Sequence, residues 1–221
     1  MPDVVVLSGG GRYADPWHPF AETSAALAEL VREAGLTVEI DDDPDAAVAA
    51  LGDDVRLVVV NAGDPGDAPA SSQAAAAASA LDRALDRGIG VLAMHAAAAS
   101  LRAYPAYERL LGGRWVRDVS WHPPFGEARV HVVGDHAVAE GLVDFTVLDE
   151  RYTGLRRLGE IEPIAEHEEG GAWHPLVWAR EVGRSRLVYD ALGHDARSYE
   201  SAAHRALITS ALGWLAGADA P

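Results

Sequence analysis

The sequence predicts an α/β fold, with a mostly parallel central sheet, helices on both faces and some antiparallel strands from the C-terminal half. Three observations predict it. Short apolar runs alternate with helical spacing through roughly the first hundred residues, the order of a doubly wound sheet. Those runs are continuous rather than alternating in polarity, as strands covered on both faces are. After His122 the pattern changes to strand-like segments with few helices between them.

Val4 to Leu7 is the first apolar run, closed by Ser8-Gly9-Gly10-Gly11, and reads as a buried strand entering a loop. Helical spacing runs from Phe20 through Leu27, Leu30 and Val31 until Gly35, and Leu36 to Ile40 forms a second strand. Asp41-Asp42-Asp43-Pro44-Asp45 resembles a metal site, but acids and a proline before Ala46 to Leu51 are what a helix start requires. Val55 to Val60 is the third strand, followed by the loop Asn61 to Pro69. The alanine-rich Ser71 to Asp86, with Leu81 and Leu85 one turn apart, is a helix ended by Gly88. Ile89 to Met94 is the fourth strand.

Ala128 to Val133, Phe145 to Leu148, Pro163 to His167, Leu176 to Trp178 and Arg186 to Ala191 are the later strands, some pairing antiparallel at one side of the sheet. Ser201 to Leu215 closes the chain as an amphipathic helix, ahead of the tail Gly217 to Pro221. With 221 residues, 49% hydrophobic content and no linker or repeat, one domain spanning 1–221 is expected.

Composition narrows the chemistry by exclusion. The chain has no cysteine, so disulfides, thiolate metal sites and cysteine nucleophiles are absent. All 18 basic residues are arginine, which removes Schiff-base lysines and the lysine of a P-loop. A net charge of -16 repels a phosphate backbone, so no nucleic-acid partner is expected. No signal peptide or membrane-length apolar run is found, so the expected setting is cytoplasmic, with no membrane partner. Carboxylate, imidazole, hydroxyl and metal-assisted catalysis remain.

His18, His95 and His194 each follow a strand, and strand exits of a parallel sheet converge on one ligand-binding edge. The loop carrying His18 also holds Tyr13, Asp15 and Trp17 on a glycine base; its G-x-G-x-x-G spacing fails at Ala14, so a nicotinamide cofactor is not expected. A plainer reading has His18 capping the helix and Trp17 packing. Val91-Leu92-Ala93-Met94-His95-Ala96-Ala97 has the make-up of a nucleophile elbow that exposes an imidazole, suited to proton transfer near neutrality. Trp121-His122-Pro123-Pro124 is a proline-bent loop that is otherwise a packed turn, and Asp149-Glu150-Arg151-Tyr152 puts carboxylates and a phenol at a strand exit. In Gly193-His194-Asp195, histidine beside aspartate is either a helix cap or a polarised imidazole. His131 faces solvent, His204 is core or interface, His167 lies among charges, and His136 and His174 sit near turns.

The ordered motifs GGGRYADPWHPF, GVLAMHAAAAS, DFTVLDERY and HPLVWAREVGRSRLVYDALGHD resemble the trehalose-utilisation (ThuA-like) family over nearly the whole chain. That family lies within the class I glutamine amidotransferase-like superfamily, so the resemblance implies a flavodoxin-like three-layer sandwich. His95 stands where that superfamily usually carries its cysteine, so thioester chemistry is excluded. The resemblance implies a role in sugar metabolism. We then expect His95, Glu150, His18 and His194 as acid-base groups, with Tyr13, Trp17, Trp121, His122, Tyr152 and Asp195 binding a disaccharide or keto-glycoside. Three alternatives stay open: an elimination or hydrolysis enzyme, a non-catalytic sugar-binding or regulatory protein, and a His-ligated metal-dependent hydrolase. No close H-x-x-x-H spacing supports a metal, so no metal or cofactor is expected; a homo-oligomer is left open.

Overall fold

The structure is a computed structural model that describes residues 2–66, 69 and 71–217. Part of the Asn61 to Pro69 loop and most of the Gly217 to Pro221 tail lie outside the described residues. The first half alternates β1 (Val4–Ser8), α1 (Phe20–Glu33), β2 (Val38–Asp41), α2 (Pro44–Ala49), β3 (Leu57–Asn61), α3 (Ala74–Arg87) and β4 (Gly90–Met94). There follow α4 (Pro105–Leu111), β5 (Gly113–Arg114), β6 (Gly126–Val132), β7 (Phe145–Asp149), β8 (Arg156–Arg157), β9 (Glu162–Glu169), β10 (Ala172–Val182), β11 (Ser185–Asp190) and α5 (Ala202–Leu215).

Among the described residues the main sheet has nine strands in the order β2-β1-β3-β4-β11-β10-β9-β6-β7. β2, β1, β3, β4 and β11 run parallel, while β10, β9, β6 and β7 continue antiparallel. β5 and β8 form a separate short pair. β1, β3 and β4 are buried along their whole length because VVVLS, LVVVN and GVLAM are covered by helices on both faces. α1 packs beside α5, and α2, α3 and α4 lie side by side. The chain leaves β1 toward β2 and returns past it to β3, and right-handed crossovers in opposite directions put those two helix groups on opposite faces. This is the α/β flavodoxin-like sandwich.

The acidic run behaves as a helix start: the Asp43 side chain accepts from the Ala46 N–H, with Pro44 in the first turn. α3 ends at Gly88 in the left-handed region, φ 99°. The short β5 and β8 pair is not expected from the sequence, and two longer elements also differ from expectation. α4 is a short helix in a segment with no sustained apolar period, started by Pro105 and stopped by Gly112. β10 extends far beyond Leu176 to Trp178 because the Gly170-Gly171 turn, both at positive φ, lets Ala172 pair back onto Glu169. Pro175 and a register shift beside it interrupt the apolar pattern of that strand, which hides its length in the sequence. Among the described residues no helix is long and apolar enough to cross a membrane.

Candidate functional site

The strand order reverses at β1, and the loops leaving β1, β4 and β11 meet outside the carboxyl ends of those strands. His18, His95 and His194 come together there, with ring centres 5.1 Å (His18 to His95), 5.0 Å (His18 to His194) and 5.4 Å (His95 to His194) apart. They are separated by up to 176 residues in the chain and converge because each sits at an exit of the same sheet edge.

Asp15 places His18. Its carboxylate accepts the backbone N–H groups of Trp17 (2.9 Å) and His18 (3.0 Å) and lies 2.8 Å from His18 Nδ1, so one side chain bends the loop and orients the ring. Gly63 permits this approach, because a Cβ there would stand 2.6 Å from Asp15 Oδ2 and 2.8 Å from the Tyr13 carbonyl. His95 has φ 42°, a strained value for a residue with a Cβ, which matches the expected sharp turn after β4, although the imidazole expected to be exposed is buried. Its Nδ1 donates to the Ala191 carbonyl at 2.6 Å, and Tyr189 Oη donates to the His95 carbonyl at 3.0 Å.

The antiparallel part of the sheet brings the carboxylate. The end of β7 folds back onto the segment after β11, where Asp149 accepts from the N–H groups of Gly193 (2.7 Å), His194 (3.1 Å) and Glu150 (2.8 Å). Gly193 is required in this loop: its φ is 108°, and a Cβ would come within 2.7 Å of Tyr199 Oη. Glu150 Oε2 then lies 3.2 Å from His194 Nδ1 and 3.6 Å from His95 Nε2, while Oε1 lies 3.6 Å from His122 Nδ1. The first two contacts are close in charge but poorly aligned, so His95 Nε2 and His194 Nδ1 are buried with no hydrogen-bond partner.

The electrostatics follow from this packing. Burial works against the Glu150 carboxylate, but adjacent His194 and His95 outweigh it and hold the carboxyl well below the usual carboxylate range. For His194 burial disfavours the cation and Glu150 reverses the balance, leaving the imidazole more basic than usual. His18 moves the other way: burial lowers its basicity, Asp15 only partly counters that, and the facing imidazoles lower it further. An ionised carboxylate beside a readily protonated imidazole is an acid and base already in contact.

Above this floor opens a cleft of about 580 Å³, within the range of small-molecule sites. Trp17, Trp115, His122, Tyr152, Arg117 and Asp64 line it together with Asp15, His18, Glu150 and His194. His95 lies beneath, 1% exposed. The Tyr152 ring packs, tilted, with its centre 4.1 Å from that of His95 and 4.4 Å from that of Trp115, and its hydroxyl is 3.4 Å from His18 Nε2. Trp17 stands at the mouth, 73% exposed.

Three expected binding residues are placed elsewhere. Tyr13 is buried in the core, its hydroxyl donating to Asp45 at 2.7 Å beside Tyr104, because the first half of its loop folds inward over α2. Trp121 pairs by its backbone with Thr153 and is half exposed outside the cleft lining. Asp195 caps the turn Ala196–Glu200 and pairs with Arg197, the cap that the sequence left as one option. Conversely, sequence reasoning missed Trp115, Arg117 and Asp64. Asp64 follows β3, so the strand-exit rule applied to the histidines reaches it as well. Trp115 follows the Gly112-Gly113 pair, a turn signal without a periodic element around it.

The solved structures that this fold resembles include two described as ThuA-like. One is from Parabacteroides merdae, with TM-score 0.78, 18% identity, and coverage of 97% of this chain and 89% of that one. The other, from Bacteroides uniformis, has TM-score 0.73, 17% identity and coverage of 97% and 92%. A Thermoplasma acidophilum protein described as part of a GMP synthase shares the fold at TM-score 0.57 and 15% identity, covering 95% and 92%. Among curated proteins no sequence matches. The family model for trehalose utilisation matches residues 3–215, and the chain therefore belongs to the ThuA family.

Proposed function

We propose that the chain is a carbohydrate-active enzyme whose cleft takes a disaccharide or its keto derivative and moves a proton beside a carbonyl. The observation that carries this reading is the convergence of His18, Glu150 and His194 on the floor of one cleft, with His95 directly beneath them. Trp17, Trp115 and Tyr152 supply apolar planes with polar edges, which suit the faces of a pyranose. The family's description, trehalose utilisation, agrees with a sugar ligand.

In a 3-keto-glycoside the hydrogen at C2 is acidified by the neighbouring carbonyl, and the glycosidic oxygen at C1 is a leaving group. Glu150 or His95 takes the C2 proton, and the released electron pair forms the C1–C2 double bond. The C1–O bond breaks, and the departing oxygen takes a proton from His194 or His18. His194 suits the acid role because Glu150 beside it, against the opposing effect of burial, leaves it more basic than an ordinary imidazole. Ordinary glycoside hydrolysis wants a second free carboxylate across the bond. Of the other carboxylates lining the cleft, Asp15 is engaged by His18 and Asp64 by Arg102 at 2.7 Å.

The test is to incubate the protein with trehalose and with 3-keto-trehalose and follow the released sugar by NMR. Release from the keto sugar alone, lost in His95→Ala and Glu150→Gln, is expected. Binding of either sugar with no turnover by the wild-type protein would replace this reading with a sugar-binding role.

A further inference from the structure

We infer that His18, His95, Glu150 and His194 bind one divalent first-row transition-metal ion. The inference concerns the same cleft as the proposed reaction but rests on donor geometry and not on the sugar. Each of the four residues offers one ligand atom, and the four atoms all lie within 4.8 Å of one another. Bonds of 2.0–2.1 Å to a tetrahedral ion place ligand atoms about 3.4 Å apart. The separations of Glu150 Oε2 from His194 Nδ1, 3.2 Å, and from His95 Nε2, 3.6 Å, already match that spacing.

Two independent features point to an ion. His95 Nε2 and His194 Nδ1 are buried without a hydrogen-bond partner, in a ring that is 1% exposed for His95. A buried polar atom left unpaired calls for a ligand. The second feature is the outer shell. A carbonyl can only accept, so the His95 bond to the Ala191 carbonyl puts the hydrogen on Nδ1 and leaves the Nε2 lone pair facing the cluster. Asp15 does the same for His18 through Nδ1, turning Nε2 toward the cluster with only a long 3.4 Å contact to the Tyr152 hydroxyl. A carbonyl or carboxylate behind the imidazole, as His95 and His18 have here, is the arrangement that orients metal-bound histidines.

The donor set selects the class of ion. Three imidazoles and a carboxylate with no thiolate suit zinc, manganese, iron or cobalt in the divalent state, rather than calcium or a copper(I) ion. Close sequence spacing gave no hint of it because the ligands come from four different loops. With these four side chains as its ligands, such an ion would replace their acid-base roles and act instead as a Lewis acid toward a carbonyl or hydroxyl oxygen in the cleft.

Untagged protein, stripped with a chelator, is titrated calorimetrically with Zn²⁺ and separately with Mn²⁺, and the bound metal is counted by elemental analysis. One ion per chain is expected. His95→Ala and Glu150→Gln should each weaken binding by more than ~100-fold, and Asp15→Asn, a positioning residue, by about 10- to 100-fold. His131→Ala, outside the cleft, should bind as the wild type does. Circular dichroism checks the fold of each variant, and Co²⁺ added to the stripped wild type should give the visible absorption of a nitrogen and oxygen site, a readout needing no variant. No uptake of any of these ions by the stripped wild type overturns the inference, as does uptake unchanged in both His95→Ala and Glu150→Gln. Uptake without keto-sugar turnover would sink the sugar reading and keep the metal site; turnover without uptake does the reverse.

Discussion

Two buried imidazole–carboxylate groups occupy this end of the molecule, and they are built in opposite ways. Against α5, His204 Nε2 donates to Asp190 at 2.8 Å and Nδ1 to the Ser198 carbonyl at 3.1 Å, with neither side chain of the ion pair exposed. Both ring nitrogens are satisfied, and neither His204 nor Asp190 lines the cleft. In the cleft, His95 and His194 keep a nitrogen unpaired beside Glu150. A satisfied buried pair supports the fold, whereas an unsatisfied one is unfavourable for the fold and is kept where a ligand completes it.

The comparison is most sharply tested at its unsatisfied half. His95→Ala and Glu150→Gln should each lower keto-glycoside turnover by about 10²–10⁴-fold, the usual size of an acid-base contribution. The melting temperature should fall only modestly: Glu150→Gln removes a carboxylate that the flanking imidazoles favour and His95→Ala removes the bond to the Ala191 carbonyl, but each also removes or relieves an unpaired buried nitrogen. A large loss of stability in both variants would show that the cluster is structural after all.

His204→Ala is the mirror experiment. Breaking a fully buried pair leaves the Asp190 charge uncompensated and should cost about 3–5 kcal/mol in denaturant unfolding. The folded fraction should keep its turnover per molecule.

Asp149 joins the two regions, since it anchors Gly193 and His194 through backbone N–H groups. Asp149→Asn should cost about 1.5–3 kcal/mol, the range for hydrogen bonds to a charged group, and should also slow turnover because the His194 loop loosens. An equal loss of stability with full activity would detach that loop from the reaction.

The pair under α5 also predicts a pH dependence. Burial lowers the basicity of His204, but Asp190 beside it, and Asp149 further off, outweigh burial and raise it. The folded protein therefore holds a proton that the unfolded chain releases near pH ~6.5. That contribution is fully present below this pH and is lost as pH rises through the higher folded value. Melting temperature recorded from mildly acidic to alkaline pH should fall on that limb, and His204→Ala should flatten it.

The smallest effect is expected at the mouth. Trp17→Ala removes an exposed ring and should change stability by no more than ~0.5 kcal/mol. Sugar affinity should fall several-fold, read as a rise in KM with kcat retained.

Much of this was legible in local pattern. Burial of β1, β3 and β4 shows as unbroken apolar runs, and each run ends abruptly at the sheet edge, so the histidines just past β1, β4 and β11 could be assigned to one edge from order alone. The elbow at His95 shows in the same way, in a buried strand passing directly into small residues, but the exposure expected of its imidazole does not hold, because the loops after β1, β7 and β11 close over it. Tyr13 shows the limit. It shares a loop with Asp15, Trp17 and His18, yet Asp45 and Tyr104, far away in sequence, draw it into the core.

Strand order by itself determined where the imidazoles gather, because apolar periodicity and its endings are local properties written residue by residue. Tertiary structure alone decided that Glu150 joins them, that Trp115 walls the cleft, and which ring nitrogens face inward. Those outcomes depend on the antiparallel strands curling back and on bonds such as Asp149 to Gly193, formed between residues 44 apart. Such contacts exist only once the chain has closed on itself, and no local pattern carries them.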